Sequence, residues 1–474
     1  MKHKIIIFKL IVLMSAVSYA QEISKETYSL EECISVALQN NLDLKSANLR
    51  ANSAKINHQQ AKANLLPSVN GNFNLGVNDG RSIDPFTNDF ITQELTFSNM
   101  GLNLNMTVFN GFRLLNAAKQ NGLNRQASQL EIEAAKQDLV LNVTLAYLQV
   151  LNSKAILELN KQRFEATSKQ LKIQEEFFKN ESGNPADYAD ILGQIANDET
   201  NILTSESSLN NANVNLIRLL NLPEGAVIDP EEIILDFKEY ALSADEVYQE
   251  SLQHLASFKA NELRIEAAKK GVSVAKAQFT PEVSFFAGIN TNYSSVAETF
   301  SATGTSIVET GEFVTVDGED LPVFEESTSF ESQNIGYSDQ LDNNLNTVIG
   351  VAVSIPLING FSAKNNVALE KIRVEESLVQ LEQTHLEIKN AIVQVHFDME
   401  AAFHRYKSLE NQVKAYQESF RINEIRFNNG VSNFLNYITS KNNLDNAKIN
   451  LTNAKFEYWL RVKILDYYRG ENIF

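Results

Sequence analysis

The residues best spaced to do chemistry lie on one helical face: Glu400 and His404 stand at i, i+4, with His396 two turns before His404. A carboxylate and imidazoles at that spacing can hold a metal ion. The same stripe continues as a charged coiled-coil surface without a third ligand clustered on it, so a solvated face is expected and no metal. No phosphate-binding loop, no His-Glu-x-x-His and no nucleophile spaced from a base occurs in the chain. The single cysteine, Cys33, excludes an intramolecular disulfide and a Cys-rich metal site. Trp459 and the pair Tyr467-Tyr468 read as helix packing or equatorial contacts rather than a ligand site. No enzyme activity and no cofactor is expected. A formal charge of −18 also excludes nucleic acid, whose phosphates demand a basic surface. Carboxylates concentrate between Tyr293 and Asn344, where eleven Asp and Glu occur with no Lys or Arg. That insert reads as a solvated polar loop, with a divalent-cation lid or a surface-contact site as the sharper alternative.

The elements around these residues are unusual in length. The chain of 474 residues has only 8 Pro and 19 Gly, a composition that favours long helices. Residues 1–20 read as a signal peptide: Lys2 and Lys4, an apolar run from Ile5 to Val17, and small residues Ser18 and Ala20 before Gln21. The run is too short to span a bilayer. No later stretch reaches 18 consecutive apolar residues, so membrane entry would have to use strands.

The rest is written twice, as residues 21–227 and 228–474. Leu66-Pro67-Ser68-Val69 and Thr280-Pro281-Glu282-Val283 open strand-like segments, Phe109-Asn110-Gly111-Phe112 and Ile358-Asn359-Gly360-Phe361 close them, and Gly183 and Gly430 end long helical runs. The first copy predicts helices 28–40, 42–65, 113–180 and 184–222 with strands 67–78 and 99–110. The second predicts an equatorial segment 228–242, helices 243–257, 258–280, 361–428 and 431–468, and strands 282–293 and 345–358. Val143, Val150, Leu157, Phe164, Leu171 and Phe178 recur every seventh residue, a coiled-coil seam. A run of 67 residues is about 100 Å of helix at 1.5 Å rise per residue. The shorter return helices would match that length by stacking end-on with the helices that precede the strands.

In the strands, Val69, Phe73, Leu75 and Val77 alternate with Asn70, Asn72, Asn74 and Gly76, and Ile349, Val351 and Val353 alternate with small residues. One apolar and one small-polar face suits an outer-membrane barrel with a wet lumen, although a soluble two-sided sheet would alternate similarly; the signal peptide and the long flanking helices favour the membrane. Four strands cannot close a barrel, and an open edge in lipid leaves backbone groups unsatisfied. Three copies would give twelve strands. The expected fold is thus an α+β membrane protein, with long antiparallel coiled-coil helices forming a periplasmic α-barrel and four β-strands per protomer contributing to a trimeric 12-stranded outer-membrane β-barrel.

The sequence resembles TolC-like outer-membrane efflux proteins, of the Bacteroidetes branch in particular. The carrying residues are Ser29-Leu-Glu-Glu-Cys-Ile-Ser-Val-Ala-Leu-Gln-Asn-Asn41, Leu66-Pro67-Ser68, Gly80-Arg81-Ser82-Ile83-Asp84-Pro85-Phe86-Thr87-Asn88, Val108-Phe109-Asn110-Gly111-Phe112, Arg426-Phe427-Asn428-Asn429-Gly430 and Leu444-Asp445-Asn446-Ala447-Lys448. The resemblance implies a homotrimeric exit duct in outer-membrane lipid with a periplasmic tunnel and extracellular loops. It implies docking through a periplasmic adaptor (membrane fusion) protein on an inner-membrane pump of the RND or ABC type. It also implies a gate at the two helical tips, with aspartates six and nine residues after the tip glycine. Here Asn436 and Thr439 follow Gly430 at those places, Ser432 takes a usually basic position, and Phe427 matches an aromatic one. In the first copy Asp187 and Asp190 follow Gly183, with Pro185 shifting the alignment by about one residue. The expected constriction lies near Asp187, Tyr188, Asp190 and Asn436, with less cation affinity than an Asp-ringed relative. Asp190 reads equally as a helix-start carboxylate favoured by the dipole. The competing class is a coiled-coil surface scaffold or adhesin without transport activity, which has no use for the strands.

Overall fold

The computed structural model describes residues 26–83, 88–92, 94–180, 182–223, 226, 228–231 and 237–471. The expected signal peptide, residues 84–87 of the Gly80–Asn88 motif and residues 232–236 of the equatorial segment lie outside them. In chain order the elements are β1 (Glu26–Tyr28), α1 (Leu30–Asn40), α2 (Leu42–Ala63), β2 (Ser68–Asn78), β3 (Arg81–Ile83), β4 (Phe90–Thr92), β5 (Leu95–Phe109), α3 (Arg113–Lys179), α4 (Pro185–Leu220) and β6 (Ile228–Pro230). The second half supplies α5 (Ala244–His254), α6 (Ala256–Lys276), a 3-10 turn (Ala277–Phe279), β7 (Glu282–Ser294), β8 (Glu298–Val316), β9 (Glu319–Asn334), α7 (Tyr337–Asn343), β10 (Asn346–Ser354), α8 (Ser362–Asn428) and α9 (Phe434–Arg469). The chain groups into two compact units that each draw on both halves: one takes residues up to 55, 123–265 and 375–474, the other 56–122 and 266–374.

The first unit is helical, and its duplicated parts use the same local chemistry. Ser29 caps α1 and Ser243 caps α5, each reciprocated by a glutamate three residues on, Glu32 and Glu246. Two orphan backbone donors are satisfied at each start. One core joins Cys33, Ile34 and Ala37 of α1 to Val143, Tyr147 and Val150 of α3 and Leu216 and Leu220 of α4. A second joins Val247 of α5 to Ile392, Met399 and Ala402 of α8 and Tyr458 and Leu465 of α9. Trp459 packs against both. Burial, and then Glu32, pushes the Cys33 thiol up to about 12, which leaves it an inert packing residue. α3 contains a stretch long and apolar enough to cross a bilayer, but half of that window is buried in the protein itself.

Helix ends meet where the length arithmetic expects them. The α4 C-cap, Asn221, donates to Asn40 O at 3.2 Å, and Asn41 donates to Leu219 O at 3.0 Å, so α4 ends where α2 begins. On the other side Arg469 at the end of α9 holds Glu250 at 2.7 Å, and Gln137 of α3 bonds both His254 O and Ala256 N around the start of α6.

The second unit is built on a four-stranded antiparallel sheet in the order β10-β7-β5-β2. Its register sorts the side chains cleanly. Asn70 pairs with Asn103 and that with Gly288, while Asn72 pairs with Gly101 and that with Asn290. Phe73 faces Met100, and Leu104 faces Ala287, which faces Ile349 on the opposite side. One face is therefore amide-rich, with Asn103 donating to Asn72 at 3.0 Å. The other presents Val69, Phe73, Leu75, Ile349, Val351 and Val353, all exposed in the single chain. Among these four strands the one charged residue is Glu282, at the helix-proximal end, where Arg113 holds it at 3.3 Å.

The acidic insert is not a loop. It folds as a ribbon of 19 and 16 residues, β8 and β9, followed by α7. Asp317 and Gly318 turn the ribbon with φ of 48° and 92°. Two consecutive left-handed residues match the right-handed twist of paired strands, so Asp-Gly here is a tight-hairpin signal that the density of carboxylates obscured. Gln340 of α7 is buried at the ribbon base: its Nε2 donates to Ser294 O and Ile335 O, and its Oε1 accepts from Ser294 N, all at 2.9 Å. The first insert also carries structure, the small pair β3 and β4, with the Arg81 guanidinium over the Phe90 ring.

Candidate functional site at the helical tips

Each tip is a helix end, a short loop and a capped helix start, all in the helical unit. At the first, Ser182 N and Gly183 N both donate to Phe177 O at 3.0 Å, using carbonyls that the end of α3 leaves free. Asn184 then caps α4 by accepting from Ala186 N at 3.1 Å, and Pro185 takes the first helical position. At the second, Gly430 N donates to Phe427 O and Val431 N to Arg426 O, and Asn433 caps α9 by accepting from Asn436 N at 3.1 Å. Proline is well placed at a helix start, where its missing N–H has no partner to lose.

These caps revise the correspondence between the tips. The cap follows Gly183 by one residue and Gly430 by three, so the first tip is two residues shorter, not one. Counted from the caps, Asp187 corresponds to Asn436 and Asp190 to Thr439. Asp190, Asn436 and Thr439 are exposed, and Asp187 and Ser432 are half-buried. Asn184 donates to Asp187 at 3.2 Å, and Asn436 lies 3.4 Å from Ser432 Oγ. The aromatic candidates do something else. Tyr188 stacks on Phe178 with ring centres 4.9 Å apart, and Phe427 stacks on Tyr437 at 5.0 Å. Both pack against a cluster of Ile191, Phe434, Tyr437 and Ile438 that joins the two tips. Burial, with Glu424 and Asp445 adding, pushes the Tyr437 phenol up to about 12. The tip thus consists of an apolar anchor and a polar exposed rim.

Sequence reasoning missed the polar layer behind that anchor. Arg163 of α3 and Asp198 of α4, both buried, lie 2.8 Å apart between Nε and Oδ1, although the Nε–H is not aligned for a hydrogen bond. Arg163 donates instead to Asn446 at 3.0 Å and Asn442 at 3.1 Å on α9. Asp198 accepts from Thr167 at 2.6 Å and Gln194 at 2.7 Å, and the buried Lys441 reaches Thr167 at 3.3 Å and Asp445 at 2.8 Å. A signal was present: Ile191, Asp198, Ser205 and Ala212 are buried at every seventh position, so Asp198 occupies a seam site. By contrast His396 Nε2 lies 2.9 Å from Leu242 O, and Nδ1 is 3.7 Å from Glu400. His404 stands beside the Phe403 ring. Among the described residues no group of three or more His, Cys, Asp or Glu is gathered to hold a metal.

The family model described as outer membrane efflux protein matches residues 33–222 and 314–461. The cation efflux system protein CusC of Escherichia coli O157:H7 is 25% identical over 274 residues, 57% of each chain. The pyoverdine export outer membrane protein OpmQ of Pseudomonas putida is 25% identical over 316 residues, 66% of this chain and 65% of that one. The matched stretches thus span less than two thirds of either relative. The crystal structure of the outer membrane protein VceC from Vibrio cholerae superposes with a TM-score of 0.74 at 19% identity, covering 94% of this chain and 97% of that one, which shows a shared fold.

Proposed function

Because the chain belongs to the outer membrane efflux protein family, we propose that it is the exit duct of a tripartite efflux or type I secretion system, conducting cargo passively outward. The observation that carries this reading is the open four-stranded sheet with one exposed apolar face and one amide face. Only lipid satisfies the first face, and only closure by further copies satisfies the edge strands β2 and β10. A homotrimer closes twelve strands around a bore lined by the amide face. Such a duct has no energy source of its own, so an inner-membrane pump, of the RND or ABC type, and a periplasmic adaptor complete it. One relative is named for cation efflux and another for pyoverdine export, so membership of the family by itself assigns no cargo. A scaffold or adhesin leaves the apolar sheet face unexplained.

Purified from outer membranes, the protein is expected to run as a heat-modifiable trimer and to open discrete conductances in planar bilayers. A water-soluble monomer without conductance would overturn the reading.

The rim of exposed Asp190, Asn436 and Thr439 with half-buried Asp187, around Gly183 and Gly430, is proposed as the gate. With asparagine at 436 only one tip of each protomer carries acids. Asn436→Asp is expected to deepen block by divalent cations about tenfold, since a ring of added carboxylates in a confined mouth concentrates cations. Unchanged block would remove the tips as the cation-sensing constriction.

A further inference from the structure

The β8–β9 ribbon has a use that a pore does not require. We propose that it is a docking strip on the cell exterior for a cationic protein that bears apolar side chains. Its placement rests on the duct reading: the ribbon joins β7 to β10 at the sheet end away from the long helices, which is the outer end if those helices lie in the periplasm. Along β9 the alternate residues Pro322, Phe324, Glu326, Thr328 and Phe330 share one face. Their partners on β8 are Phe313, Glu309, Ile307, Thr305 and Ala302, and Phe300 precedes Ala302 on the same side. The irregular residues of the ladder fall on β8, so β9 keeps its alternation throughout. The face therefore carries Phe300, Ile307, Phe313, Phe324 and Phe330 in one stripe, each 56–76% exposed.

Exposed aromatic groups in a row are uncommon on a surface that stays wet, and mark a contact site. An isolated two-stranded hairpin is marginal in water, and both outer edges of this one are open. Charge selects the occupant. Between Glu298 and Asn334 the ribbon holds nine carboxylates and no Lys or Arg, with Glu309 and Glu326 inside the stripe. A second copy of the ribbon or an anionic lipid surface would bring like charges together. A basic polypeptide with alternating apolar residues satisfies the stripe, the carboxylates and an open edge at once.

The test uses the intact protein in detergent, with a ten-residue peptide of alternating lysine and leucine as probe and the glutamate–leucine analogue as control. The lysine peptide is expected to bind, more weakly as salt rises, and the glutamate peptide not to bind. Replacing Phe300, Phe313, Phe324 and Phe330 together by Thr is expected to weaken binding about tenfold or more. E309Q with E326Q, which leaves the apolar stripe intact, is expected to reduce the salt dependence measurably, since two of the nine carboxylates are lost. Both variants should conduct like the parent, so a failure of the duct and a failure of the strip are told apart. Undiminished binding by the Phe→Thr variant overturns the proposal. So does equal binding of both peptides, ribbon-dependent binding to phosphatidylglycerol vesicles, or ribbon-dependent pairing of whole oligomers.

Discussion

Asp198→Ala is expected to destabilise the helical unit by about 3–5 kcal/mol, because it leaves Arg163 charged and buried without its counter-ion. Asp198 is fully buried, and the guanidinium facing it is 7% exposed, so water cannot take over. Gln194 loses its acceptor at the same stroke, and Thr167 keeps only Arg163 O. The double variant Arg163→Met/Asp198→Leu removes both charges and is expected to cost much less than either single change. Thermal unfolding by circular dichroism, run on the single and double variants, measures the difference. Equal losses in all three would mean that the pair acts only through packing. Arg163 also bonds Asn442 and Asn446 of α9. Loss of Asp198 is therefore expected to loosen the second hairpin as well, seen as faster hydrogen exchange around 437–446.

Gly111→Ala is the second large effect, and the duplicated half supplies its control. Gly111 and Gly360 occupy the same Asn-Gly-Phe turn, with φ of 64° and 58°, and each is followed by a phenylalanine that is also left-handed. A side chain at either costs about 1–2 kcal/mol in backbone strain. At Gly360 a Cβ meets nothing within 4 Å. At Gly111 it would lie 1.9 Å from Thr280 Oγ1 and 2.9 Å from Thr280 Cβ, which leaves no room without moving the 3-10 turn. Overpacking of that kind adds about 1–3 kcal/mol. Gly360→Ala should thus give nearly normal yields of heat-modifiable protein, and Gly111→Ala a sharp loss, partly restored by Thr280→Ala. Equal yields for the two alanines would show that the turn, not the neighbour, sets the cost.

The helices could be read from sequence because two local signals agreed: a seven-residue apolar seam, and 67 residues without proline. The four sheet strands were legible for the same reason, since Val69, Phe73, Leu75 and Val77 share one face and only Gly71 breaks their series. Elsewhere two signals compete, and the more conspicuous one is the less informative. In the insert, counting carboxylates hid Asp317-Gly318 and an alternation broken on β8. At the first tip the glycine is a poor ruler, because Asn184 and Pro185 fix where α4 starts. Arg163 and Asp198 escape a sequence reading because a heptad seam announces itself through its apolar residues. Their placement is tertiary: both are polar, and Arg163 is held by an asparagine 283 residues away, Asn446 on α9.

For the proposed duct, the amide lattice on the sheet bears on how fast cargo can leave. A carboxamide offers one acceptor and two donors, none of them ionised, and it trades partners with water nearly one for one. With Glu282 the one charged residue on the four strands, cargo of either sign finds no deep well along them. Shallow binding means short residence. Outward flux through this stretch should then rise in proportion to cargo concentration without saturating, and should hold steady as external acidity changes.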